Sequence, residues 1–108
     1  MSERVPVAKV TDIPEGQAKA FMMGERRVAV FNIEGEFYAC SDVCPHAGAP
    51  LHQGFISRKR VVCPWHGWTF DLEVKPGMRK DGVSRFHVSV EGDDIYVDAE
   101  PVDLSAVV

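Results

Sequence analysis

A chain of 108 residues, 45% apolar and 26% charged, is sized for one compact domain with a real core and leaves no room for a second, catalytic domain. Its net charge of −4, with six acids and no Lys or Arg in residues 86–108, argues against a nucleic-acid partner. Met1 to Val10 carries Glu3, Arg4, Pro6 and Lys9 in place of an apolar leader, and no window reaches the roughly 20 apolar residues of a membrane span, so a soluble cytoplasmic protein with no membrane contact is expected.

In chain order, β-rich runs lie at Val5–Val10, Gln17–Met23, Arg27–Ile33 and Glu36–Cys40. Gly24-Glu25 and Glu34-Gly35 are placed to close hairpins between consecutive runs. After a break, further runs follow at Arg60–Cys63, Val83–Val90 and Ile95–Val97, with Glu91 to Asp94 as the last turn. Val88, Val90, Ile95 and Val97 recur at spacing two and are expected to share one buried face, with Ser89 and Tyr96 on the other. No stretch holds a helical period, so the fold class is all-β with antiparallel pairing between sequential strands.

Residues 42–77 interrupt this rhythm with clustered Pro, Gly, Cys, His and Trp, a composition suited to loops built around something. Three cysteines are too few for a disulfide framework, and two of them stand beside histidines: Cys44-Pro45-His46 and Cys63-Pro64-Trp65-His66. Sixteen residues separate His46 from Cys63, enough to put the two motifs on separate loops facing a shared site. Two thiolates and two imidazoles suit either tetrahedral zinc or a [2Fe-2S] cluster in which histidines replace two of the cysteines. Zinc fingers draw a Cys pair from one element and a His pair from another. Here each element mixes the two types, which favours the cluster.

The double motif, Cys44-Pro45-His46-Ala47-Gly48-Ala49-Pro50-Leu51 with Cys63-Pro64-Trp65-His66-Gly67-Trp68-Thr69-Phe70, resembles the Rieske family. The likeness extends to Gly54, Asp71 and the closing hairpin. It implies a Rieske-like antiparallel β-sandwich, one domain over residues 1–108, with a cluster-binding subdomain of loops and short strands at about 42–77. It further implies one [2Fe-2S] cluster, with Cys44 and Cys63 on an inner iron and His46 and His66 on an outer iron near the surface. Two ferric ions, two sulfides, two thiolates and two neutral imidazoles sum to zero charge, so reduction is easier than at an all-thiolate, dianionic site: roughly −150 to +300 mV against about −400 mV.

High-potential respiratory members of the family carry a disulfide between the loops, and Ser and Tyr hydroxyls beside the cluster. The matching positions here are Ala49 and Trp65, then Trp68 and Phe70, which implies the low end of the range. The resemblance is to stand-alone ferredoxins that pass single electrons from a flavin-dependent reductase to a terminal oxygenase. The alternative is the small subunit of an NAD(P)H-dependent nitrite reductase, whose partner is the large subunit of that enzyme. A zinc-stabilised interaction module is the reading from outside redox chemistry. No catalytic residue is expected in any of the three.

The remaining candidates have plainer readings. Cys40, in Phe37-Tyr38-Ala39-Cys40, is expected to pack as a small apolar residue. His52 and His87 match no ligand position, and Arg58-Lys59-Arg60 reads as a solvated turn. Trp65 and Trp68 read as core aromatics, as a cover over the cluster, or as both at once, and Pro76 is a surface turn or a third covering loop.

Overall fold

The computed structural model describes residues 3–45, 48–65, 67–75, 78 and 81–103. They form ten strands: β1 (Arg4–Lys9), β2 (Ala18–Met23), β3 (Arg26–Ile33), β4 (Glu36–Ser41), β5 (Phe55–Ser57), β6 (Arg60–Val62), β7 (Thr69–Asp71), β8 (Arg85–Phe86), β9 (Val88–Glu91) and β10 (Asp94–Asp98). Short 3-10 turns occur at Val10–Asp12 and Leu51–Gln53. All pairing is antiparallel, in three sheets ordered β1-β10-β9, β2-β3-β4-β8 and β5-β6-β7. The expected fold class is therefore the observed one. Among the described residues no helix is long and apolar enough to cross a membrane.

β3 explains how the sheets stack. Its residues Val28 to Ile33 are all buried, so both faces of the strand meet apolar neighbours. Val28 and Val30 point into a core shared with Ile95 and Val97 of the first sheet. Ala29, Phe31 and Ile33 point the other way, into a core that contains Cys44, Ala49, Leu51, Val61, Cys63 and Phe70. The period of two thus sends alternate side chains of one strand into two different cores. The second sheet is the wall between them, with the paired β1, β9 and β10 on one side and the two cysteine motifs on the other. Burying a side chain such as Phe31 on that wall contributes about 2–3 kcal/mol.

The turns at Gly24-Glu25, Glu34-Gly35 and Gly92-Asp93 close the hairpins β2–β3, β3–β4 and β9–β10, as their residue types led us to expect. Three expectations are corrected. Pairing is not sequential throughout, because β1 returns to β10 and β4 accepts β8. The run 83–90 is two strands in different sheets: β8 pairs with β4, the chain turns at His87, and β9 pairs with β10. Finally, Val90 faces Ile95 in register, but it is 45% exposed at the sheet margin while Ile95 and Val97 are fully buried. Within the stretch read as loops, β5 and β7 flank β6, and three residues each are too few to show an alternating pattern.

Candidate metal centre

Loop 1 leaves β4 and runs from Cys44 to Ala49; loop 2 joins β6 to β7 and runs from Cys63 to Trp68. The backbone closes them identically. In loop 1 the Cys44 N–H donates to the Ala49 carbonyl at 2.8 Å and the Gly48 N–H donates to the Cys44 carbonyl at 2.7 Å. In loop 2 the Cys63 N–H donates to the Trp68 carbonyl at 2.7 Å and the Gly67 N–H to the Cys63 carbonyl at 3.1 Å. The fifth residue of each loop turns the chain at φ near +70°, 74° at Gly48 and 72° at Gly67, where an L side chain is strained. Each loop is therefore a preset hoop that begins on a cysteine.

Both cysteines sit at the floor of their hoops. Cys44 is 1% and Cys63 2% exposed, and both belong to the core lined by Ala49, Leu51, Val61 and Phe70. No disulfide joins any of the three cysteines. Cys40 lies in the same core but on β4, where burial pushes its thiol pKa up to about 12, so it stays protonated and packs as an apolar residue. The structure thus separates the cysteine with no loop around it from the two that have one.

His46 and His66 lie outside the described residues, as do Ala47, Pro76 and Gly77. In the sequence His46 follows Pro45 and His66 follows Trp65. Among the described residues no group of three or more His, Cys, Asp or Glu gathers as a metal site. Two soft sulfur donors on matched loops, walled by apolar side chains, are the donor set that the thiolate half of an iron–sulfur cluster requires, and they fit it.

The described aromatic residues of loop 2 are exposed. Trp65 is 63% and Trp68 50% exposed, which removes the core-aromatic reading of both. Exposed Val43 immediately precedes loop 1.

A third segment, missed by sequence reasoning, holds loop 1 from the side. A Cβ added to Gly82 would sit 2.6 Å from the Pro45 Cβ, so the backbone at Gly82 presses directly on the loop. This segment is anchored by Arg85, a guanidinium only 1% exposed. Arg85 donates to both carboxylate oxygens of Asp81 at 2.8 Å, to the Val83 carbonyl at 3.0 Å and to the Asp71 carbonyl at 2.7 Å. Asp71 ends the strand that leaves loop 2. One buried cation therefore links loop 2 through β7 to the segment that braces loop 1. Burial opposes ionisation of Asp81, but the hydrogen bonds from Arg85 and from the Val83 N–H outweigh it and hold the carboxyl below its ordinary pKa. In the sequence Arg85 reads as one more polar residue in a strand, and no local pattern marks it.

The other sequence candidates resolve simply. His52 Nδ1 lies 2.7 Å from an Asp42 carboxylate oxygen, and His87 is exposed at the turn between sheets. In the basic run, Lys59 pairs with Glu73 and Arg60 with Asp71, each at 2.8 Å.

Comparison with known proteins places this arrangement. The Rieske [2Fe-2S] domain profile matches residues 3–83, so the chain belongs to the Rieske [2Fe-2S] family and carries a Rieske-type [2Fe-2S] cluster. Among its relatives, human apoptosis-inducing factor 3 is 42% identical over 98 residues; that match takes in 86% of this chain but 16% of the human protein's length. The 3-phenylpropionate/cinnamic acid dioxygenase ferredoxin subunit of Shigella flexneri is 35% identical over 99 residues, 88% of this chain and 92% of that one. The ferredoxin of carbazole 1,9a-dioxygenase from Nocardioides aromaticivorans superposes with a TM-score of 0.76 at 29% identity, covering 89% of this chain and 97% of that structure. Nitrite reductase small subunits share the fold at 18% identity, a likeness of fold alone.

Proposed function

We propose that Cys44, His46, Cys63 and His66 hold the cluster, the cysteines from the buried floor of the hoops and the histidines from within them. The cluster supplies one-electron redox chemistry when bound. The chain's own residues fix its sulfur ligands, exclude water from them and present the exposed rings of Trp65 and Trp68 in loop 2. The protein is a one-electron carrier of the cytoplasm, a single domain over residues 1–108, that receives electrons from a flavin-dependent reductase and delivers them to a terminal oxygenase. It acts as a component of an oxidoreductase system, with no catalysis alone.

The observation that supports this best is the pair of matched loops. They put the thiols of Cys44 and Cys63 into one apolar core, with Cys40 on β4 outside either loop, in a chain that spans 92% of a dioxygenase ferredoxin subunit. The potential lies at the low end of the Rieske range, because the two positions matched to hydroxyl donors are Trp68 and Phe70, and the Phe70 side chain is buried without a polar atom. The alternative, a small subunit of nitrite reductase, has the shared fold in its favour and predicts a permanent complex.

The test is reconstitution: purified protein mixed with a flavin-dependent reductase and a dioxygenase that lacks its own ferredoxin is expected to restore NADH-driven product formation in proportion to added carrier. Isolation from cells only as a stable complex with a larger reductase subunit would favour the alternative.

A further inference from the structure

Asp42 stands two residues before Cys44 with a side chain that is 0% exposed. A carboxylate buried that completely is tolerated only where donors surround it. Its donors come from two places. The His52 N–H donates to Oδ1 at 2.7 Å and His52 Nδ1 lies 2.7 Å from Oδ2, both from the 3-10 turn that follows loop 1. Arg27 Nε is 3.0 Å from Oδ2, from strand β3 in the wall between the cores. The backbone repeats the link to β3: the Asp42 N–H donates to the Arg27 carbonyl at 3.0 Å, and Arg27 Nη2 donates to the Asp42 carbonyl at 3.3 Å.

One carboxylate therefore gathers the entry of loop 1, its exit and the sheet beneath it. Loop 2 has the same hydrogen-bonded hoop without this device: two residues before Cys63 stands Val61, fully buried and apolar. The hoop itself does not need an Asp at that position, so the buried charge answers to something particular to loop 1.

From this we infer that Asp42 is a positioning residue for the cluster, a clamp that ties both ends of loop 1 to β3 and places a buried carboxylate two residues before Cys44. The inference rests on Cys44 being a cluster ligand, as proposed above. It assigns Arg27 and His52 supporting roles: each holds the carboxylate from one side, and His52 is the partner whose removal leaves the rest of the clamp in place. The carboxylate disfavours the added electron and the Arg27 cation beside it favours it, so removing the carboxylate charge alone raises the potential.

The experiment compares the loops within one molecule. Hydrogen–deuterium exchange is followed by mass spectrometry on the cluster-loaded protein and on Asp42→Asn and His52→Ala, reading peptides that contain residues 44–49 and 63–68. Exchange in the loop 1 peptide is expected to rise about tenfold in both variants, the effect of losing a charge-assisted hydrogen bond, while the loop 2 peptide keeps its rate. Asp42→Asn is also expected to raise the reduced-to-oxidised ratio at a fixed ambient potential by about tenfold, which is 59 mV for one electron. Equal loosening of both loops means a general structural role and overturns the inference, as does an unchanged loop 1. If Asp42→Asn does not fold, His52→Ala decides, because it keeps the Arg27 pair and the backbone bond. The inference fails alone when the parent protein shows its cluster signal and loop 1 ignores the variants. The ligand assignment fails instead when Cys44→Ala retains the cluster.

Discussion

The two cysteine loops share one backbone design and one core beneath it, and differ in how each is held. Loop 1 is held from outside, by Asp42 and its partners at its ends and by Gly82 against Pro45. Loop 2 is held from within its own small sheet, since it is the connection between β6 and β7, which pair with each other. A hoop between paired strands inherits its shape from the ladder, whereas a hoop that leaves β4 and enters a 3-10 turn has no ladder to close it and needs side-chain ties. Arg85 joins the two arrangements, because it binds the strand that leaves loop 2 and the segment that braces loop 1.

The sharpest way to break the symmetry is at the sulfurs. Cys44→Ser and Cys63→Ser are each expected to bring iron content and visible absorbance to background, whereas Cys40→Ala keeps both. Loss of the cluster in Cys40→Ala would move the ligand set to β4. Next in size is Arg85→Leu, which strands Asp81 and two backbone carbonyls and is expected to cost about 3 kcal/mol in chemical denaturation. The same variant changes the acid limb. The folded pKa of Asp81 is depressed, so its contribution is fully present above the ordinary Asp value of about 3.9 and is lost as pH falls through the lower folded value. Stability is therefore expected to fall less steeply below about pH 4 in Arg85→Leu than in the parent protein.

Gly82→Ala tests the brace alone. A Cβ 2.6 Å from Pro45, on a residue with φ of +88°, is expected to cost about 2 kcal/mol and to loosen loop 1 before loop 2. Equal loosening of the two loops would mean that Gly82 is not a local brace. Smallest is Lys59→Ala. It breaks an exposed pair with Glu73 near neither loop, and an unchanged melting temperature and potential are expected.

The sequence showed the metal chemistry more clearly than the framework that serves it. Cys44 and Cys63 could be singled out because a ligand motif is local, a few residues at fixed spacing. The hairpins around Gly24, Glu34-Gly35 and Gly92 were legible for the same reason. Arg85, Asp42 and Gly82 were not, because each acts on residues brought near by folding: Arg85 on Asp71 fourteen positions away, Asp42 on Arg27 fifteen positions away, Gly82 on Pro45 thirty-seven positions away. The division of 83–90 between two sheets was hidden by its continuous apolar pattern, which records burial and not which sheet provides it. β5 and β7 were hidden by brevity. The Asp42–His52 contact shows how a histidine that matches no ligand position still serves the site.

The measurement that tests the central claim most directly is a redox titration of the purified protein followed by low-temperature EPR, with iron and zinc quantified in the same sample. A Rieske carrier takes up one electron per chain, shows the signal of a mixed cysteine–histidine [2Fe-2S] centre on reduction, and titrates toward the negative end of roughly −150 to +300 mV. A colourless protein that holds zinc, or a cluster that titrates near −400 mV as an all-thiolate centre does, would contradict it.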